Sequence, residues 1–103
     1  MARIELKQPG QAVADFSVNG HLITIAGVLV DCLSLQNDSA QIIEVRLSER
    51  GAHIGGEGAY LAHIEIPAKA YAEVVVGEGD VVERVAQDLD ANAITVTLWP
   101  VAN

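Results

Sequence analysis

The sequence predicts an all-β domain: a small antiparallel sandwich, or a partly open barrel, of seven or eight short strands. Three observations carry this. Polar and apolar residues alternate with period two in 3–7, 13–18, 43–47 and 94–98, the spacing of a strand with one buried face. Turn-forming residues recur between these runs, which is the punctuation of an antiparallel β fold. The apolar half of the chain is mostly Val, Ile, Leu and Ala with only four aromatics, and β-branched side chains favour a pleated, half-buried surface.

Taken in order, Arg3-Ile4-Glu5-Leu6-Lys7 is the first strand, stopped by Pro9-Gly10. The second, Val13 to Val18, ends at Asn19-Gly20, a hairpin signal because both residues tolerate the positive φ of a type I′ turn. His21 opens the partner strand, and the run to Leu35 carries no charge before Asp31. It reads as a central strand buried on both faces, with Gly27 as a bulge or bend that splits it in two. After the polar turn at 36–39, Gln41 to Ser48 is a strand with Ile43, Val45 and Leu47 inward and Glu44 and Arg46 outward. Glu49 to Gly58 is the one long irregular stretch. Tyr60 to Ile66 is a strand ended by Pro67, and Ala70 to Val76 another, followed by the turn Gly77-Glu78-Gly79-Asp80.

Val81 to Leu89 fits two readings. As a helix it would be capped by Asp80 with Glu83 as a capping-box partner. As a strand it would complete a hairpin, and two valines at a helix start are poor formers, which favours the strand. Ala93 to Trp99 is the last strand, with Ile94, Val96 and Leu98 inward and Thr95 and Thr97 outward. The expected core is Phe16, Ile23, Ile25, Val45, Ile64, Val96 and Leu98.

A chain of 103 residues fits one domain and has no room for two. The formal net charge is −8. Residues 57–103 hold eight acids against Lys69 and Arg84, a net of −6; the remainder holds six acids and four bases, a net of −2. Such a field repels phosphate backbones and anionic lipid, so neither nucleic acid nor a membrane surface is an expected partner. No apolar run approaches the length of a bilayer span, and no signal-peptide core follows Met1; a cytoplasmic protein is expected, the alternative being secretion by a route with no N-terminal signal. The lone Cys32 sits in an apolar run and reads as a small buried hydrophobe.

No motif points to catalysis, and no cofactor is expected. The glycine loop Gly51-Ala52-His53-Ile54-Gly55-Gly56-Glu57-Gly58 lacks the helix and the Lys-Ser/Thr pair of a phosphate cradle. It reads first as a hairpin tip. If it binds anything, His53, Gly55, Gly56 and Glu57 would hold the ligand, with His63 approaching from the next strand. A metal is not expected, because the close two-ligand spacing of zinc motifs is missing. Glu78, Asp80, Asp88 and Asp90 crowd the turns around 81–89 but match no calcium loop.

Trp99 shares a strand face with Thr95 and Thr97, opposite the core residues. It either anchors a partner or covers the end of the core. The apolar content exceeds what one small sandwich hides, so a homo-oligomer or a protein partner is expected, with Trp99 as interface candidate. Two function classes follow. One is a non-enzymatic structural or assembly module of the kind phages and prophages encode as virion-associated proteins. The other is a module binding a small molecule, sugar or cation at the 49–58 loop.

Overall fold

The computed structural model describes residues 2–75, 77, 79 and 81–101. These residues form an all-β fold of three sheets, with no closed barrel among them. Ten strands occur in the order β1 (Arg3–Leu6), β2 (Phe16–Asn19), β3 (Leu22–Ile25), β4 (Val28–Asp31), β5 (Gln41–Ser48), β6 (Gly51–Ile54), β7 (Ala59–Ile66), β8 (Tyr71–Val75), β9 (Val82–Ala86) and β10 (Thr95–Leu98). Among the described residues one short helix, α1 (Cys32–Leu35), follows β4, and a 3-10 turn occupies Ala91–Ala93. The expected seven or eight strands become ten because the run 21–35 divides at Gly27 and the 49–58 stretch, read as irregular, contributes β6.

The larger sheet has the order β1-β10-β7-β5-β6. Its pairs are antiparallel except β1 with β10, which run parallel from Arg3↔Thr95 to Leu6↔Leu98. The second sheet, β2-β3-β4, is a meander of two hairpins. Its first turn is Gly20-His21, because Asn19 pairs with Leu22; the Asn19-Gly20 signal marks the right hairpin one residue early. Its second turn is Ala26-Gly27, both at positive φ (49° and 83°) as a type I′ turn requires. Gly27 therefore splits the apolar run as expected, by reversing the chain rather than bending it.

The two sheets share one core. Ile23, Ile25 and Val30 from the smaller sheet meet Val45, Ala62, Ile64, Val96 and Leu98 from the larger, with Ile94, Ile66, Leu61 and Cys32 closing the ends. Six of the seven expected core residues are buried, and Phe16 is not: it is 42% exposed. Phe16 opens β2, an edge strand of the smaller sheet. Leu47, expected inward, is also exposed. The β5–β7 register shifts between Val45 and Arg46: Val45 faces Ala62 while Arg46 faces Tyr60. Leu61 is the extra residue of that bulge and turns into the core, and Leu47 pairs with Ala59 beyond the core's end.

Helix α1 replaces the end of the expected central strand. Asp31 ends β4 as an N-cap, its carboxylate accepting from Leu33 N at 3.1 Å, Ser34 N at 3.3 Å and Ser34 Oγ at 2.9 Å. Those bonds, led by the Ser34 hydroxyl, hold the Asp31 carboxyl below its ordinary range. Cys32 lies buried at the helix start, where burial and then the neighbouring Asp31 charge push its thiol up to about 11.

Within segment 81–89, Val82–Ala86 forms the strand β9, paired with β8 from Tyr71↔Ala86 to Val75↔Val82. The expected cap Asp80, with Val76 and Glu78, lies outside the described residues. Strands β8 and β9 form their own two-stranded sheet, hydrogen-bonded to neither of the others. None of their ten residues is buried. The molecule is elongated: the principal extents are 64 × 26 × 18 Å, and the Cα radius of gyration is 17.0 Å, against about 13 Å for a compact chain of this size. Among the described residues, no helix is long and apolar enough to cross a membrane.

Candidate functional site

The 49–58 stretch is less irregular than its glycines suggest. Gly51–Ile54 forms β6, folded back on β5 with Ser48↔Gly51, Leu47↔Ala52, Arg46↔His53 and Val45↔Ile54. Gly51 takes φ 102°, which lets the chain reverse straight after Arg50. Beyond β6 the chain curls back towards β7. Gly55 N donates to Glu44 O at 2.8 Å, and Gly58 passes so close to β5 that an added Cβ would stand 2.3 Å from Leu47 O.

His53 organises this turn. Its Nδ1 lies 3.0 Å from Gly51 O and its Nε2 3.0 Å from Glu57 O. A neutral imidazole carries one N–H, so the tautomer decides which carbonyl receives it. Gly56 presses against the same ring, its absent Cβ being 3.2 Å from Nε2. The imidazole is thus a brace inside the loop, with both nitrogens turned to backbone oxygens. Around it lies an open groove of about 700 Å³ lined by Ser48, Glu49, Arg50, His53, Gly56 and Glu57.

Of the expected ligand residues, His53, Gly56 and Glu57 line this groove. Gly55 is held at the turn by its bond to Glu44 and does not line it. His63 does not join them. It lies on β7, with β5 between it and β6, and pairs with Glu44 where His53 pairs with Arg46. The two histidines therefore do not approach across one hairpin. Among the described residues, no group of three or more His, Cys, Asp or Glu could hold a metal ion. Of the acids around 81–89, Glu78 and Asp80 lie outside the described residues, Asp88 is exposed, and Asp90 caps the 3-10 turn by accepting from Asn92 N at 2.9 Å.

The outer face of the larger sheet is built of different material from the polar surface that the alternation predicts. Strand register sets Glu5, Thr97, His63 and Glu44 in one row across it. Beside that row stand Tyr60, Arg46 and His53. Tyr60 lies between its neighbours, its ring centroid 4.7 Å from His63 and 5.0 Å from Trp99. The Arg46 guanidinium lies 4.2 Å above the Tyr60 ring, donates to Tyr60 Oη at 2.8 Å and pairs with Glu44 Oε1 at 2.9 Å. Lys7 Nζ stands 5.0 Å over the Trp99 indole.

Trp99 is therefore neither fully exposed nor folded over the end of the core. It is half-buried in this aromatic and cationic layer, and its backbone N donates to Leu61 O at 3.0 Å. Among the described residues its indole Nε1 and His63 Nε2 are buried without a hydrogen-bond partner, and His63 Nε2 stands 3.8 Å from Glu44 Oε2. Lys7, Glu44, Arg46 and Tyr60 were not singled out from the sequence. Their signal was the strand parity that already grouped Thr95, Thr97 and Trp99, extended to the neighbouring strands.

The root of the arm is pinned separately. Lys69 N donates to Asn37 O at 2.9 Å, Gln36 Nε2 to Pro67 O at 3.1 Å, and Tyr71 Oη to Asp38 Oδ1 at 2.5 Å. That last bond raises the Tyr71 phenol, because the carboxylate accepts a proton the phenolate would lack. Comparison with protein-family models, with curated proteins and with solved structures gave no match.

Proposed function

We propose that this chain is a structural or assembly module, acting without chemistry of its own and joining a homo-oligomer or a larger protein complex. Virion-associated proteins of phages and prophages are the class of that character, and a cytoplasmic site of assembly fits the reading. One observation carries it: the β8–β9 arm. An isolated two-stranded hairpin is marginally stable in water. This one holds no buried residue and exposes Tyr71, Val74, Val75, Val82 and Val85, with Val75 at 67%. Apolar surface of that kind on a projecting element supports contact with another protein surface. The outer sheet face, with Trp99 half-buried among Tyr60, His63 and Lys7, supports a second contact region.

Binding of a small molecule, sugar or cation at the 48–57 groove has one observation in its favour, the groove itself. Against it, both His53 nitrogens face backbone carbonyls and Glu49 and Glu57 flank Arg50. Sedimentation velocity and native mass spectrometry of the whole chain separate the readings. A defined oligomer without bound ligand is expected. A monomer carrying a metal or small molecule would replace the assembly reading with the binding one.

A further inference from the structure

The imidazole of His63 stands between two unlike neighbours. On its β10 flank is Trp99, edge-on with ring centroids 5.3 Å apart. On its β5 flank is its register partner Glu44. The sheet order β10-β7-β5 keeps these on opposite sides of the ring. Among the described residues, Glu44 is the one carboxylate within salt-bridge reach, its Oε2 lying 3.8 Å from His63 Nε2. That is too long for a hydrogen bond, and Nε2 is buried without another partner.

Glu44 is already held in position. Arg46 donates to its Oε1 from Nε at 3.1 Å and from a terminal nitrogen at 2.9 Å. The guanidinium is fixed in turn by the hydroxyl and the ring of Tyr60. Among the described residues no hydrogen bond reaches Oε2. A neutral imidazole carries one N–H and no charge, whereas an imidazolium donates from both nitrogens. Its charge-assisted bond to a carboxylate is about 2.7–2.9 Å long and roughly twice as strong as a neutral one. Closing the gap therefore takes a movement of roughly 1 Å towards β5 and away from Trp99.

The other charged and titratable groups around the ring are engaged or set apart. On β5, Arg46 is bound to Glu44 and Tyr60. On β10, the residue in register is Thr97, which carries no charge. On β1, Glu5 pairs with Arg3 at 3.1 Å, and Lys7 lies over the Trp99 ring. On β7 itself, Tyr60 touches the imidazole at 4.7 Å, and Glu65 stands in the next row with Ile42 and Thr95. On β6, His53 lies beyond Arg46 with both nitrogens turned to loop carbonyls.

We propose that His63 is a proton-operated switch in the outer face of the larger sheet. Neutral, its imidazole packs against Trp99. Protonated, it turns towards β5 and bonds Glu44 Oε2, which loosens the contact with the indole and uncovers that edge of Trp99. The switch operates within one chain and does not require assembly.

The test uses the whole chain at about pH 5.5 and about pH 8, on either side of the ordinary imidazole value. Trp99 is the only tryptophan, so nuclear magnetic resonance gives one indole N–H signal. It should move between the two pH values in the parent and stay fixed in His63→Gln. Through-space contacts between the His63 and Trp99 ring protons should weaken on the acid side. A double-mutant cycle of His63→Gln with Glu44→Gln in urea isolates the new bond. The coupling should be about 0.5 M in midpoint on the acid side, the size of a partly exposed ion pair at the usual slope, and absent on the alkaline side. Equal coupling on both sides, or none on the acid side, would overturn the proposal. So would an indole signal that still moves in His63→Gln, or ring contacts that persist on the acid side. If His63→Gln fails to fold, the ring contacts of the parent at the two pH values decide alone.

Discussion

Replacing Gly58 by alanine tests whether the glycine loop is held by contact with β5. At φ +118° an alanine is strained by about 1–3 kcal/mol. Its Cβ would also stand 2.3 Å from Leu47 O and 2.7 Å from Leu47 C, both backbone atoms of the β5 end. The strand must retreat by roughly 1.1 Å to reach ordinary contact, which loosens the Leu47↔Ala59 pairing and costs about 1 kcal/mol more for a hydrogen bond lost. The sum is about 3 kcal/mol. Gly20→Ala is the control: φ there is +59° with nothing within 4 Å, so only the left-handed backbone cost of about 1–2 kcal/mol applies. Urea denaturation followed by Trp99 fluorescence reads both. At a slope of about 1 kcal/mol/M the Gly58 variant should lose about 3 M in midpoint and the Gly20 variant about half that. Equal losses would refute the close approach of Gly58 to β5.

Leu98→Ala should cost about 2–5 kcal/mol in the same assay, as a fully buried large-to-small change; a loss under about 0.5 kcal/mol would place Leu98 outside the core. Cys32 should resist thiol reagents at pH 8 until the chain unfolds, since its buried thiol keeps its proton up to about 11. The folded chain holds that proton where the unfolded chain releases it near 9.0, so the Cys32 contribution to stability is flat below pH 9 and declines from 9 to 11; a Cys32→Ala variant should lack that part of the decline. Asp38→Asn should lower the Tyr71 phenol titration read by ultraviolet absorbance, because the acceptor carboxylate is gone. No binding to DNA or RNA is expected at physiological salt, given the −8 charge; a salt-dependent shift in fluorescence anisotropy would contradict that.

Where one strand face is buried and the strand is regular, the period-two pattern located the core: Val45, Ile64, Val96 and Leu98 are inward as read. The pattern failed where a strand is interrupted. The Leu61 bulge changes parity within β7, so Leu61 and Ala62 are buried in succession and Leu47 leaves the core. Asp31 reads as a charge within an apolar run, and its capping role depends on Ser34 three residues on. Ala26-Gly27 is a weak written signal for a type I′ turn because alanine rarely accepts φ 49°. At the candidate site, His53, Gly56 and Glu57 were legible as one loop. The separation of His63 was not, because it depends on β5 lying between β6 and β7, a matter of sheet order rather than spacing. The aromatic layer over the outer face follows from the same register, which no single strand reveals.

The parallel pairing of β1 with β10 also bears on how the chain is made. Arg3 meets Thr95, 92 positions later. At about 5–20 residues per second, synthesis leaves β1 without its partner for about 5–20 s. The β2-β3-β4 meander closes through two two-residue turns and needs no such wait. A contact so distant along the chain is slow to close even in the complete molecule. Strand β1 then has no sheet partner until β10 emerges, and over that interval its unpaired edge is open to a chaperone or a wrong strand.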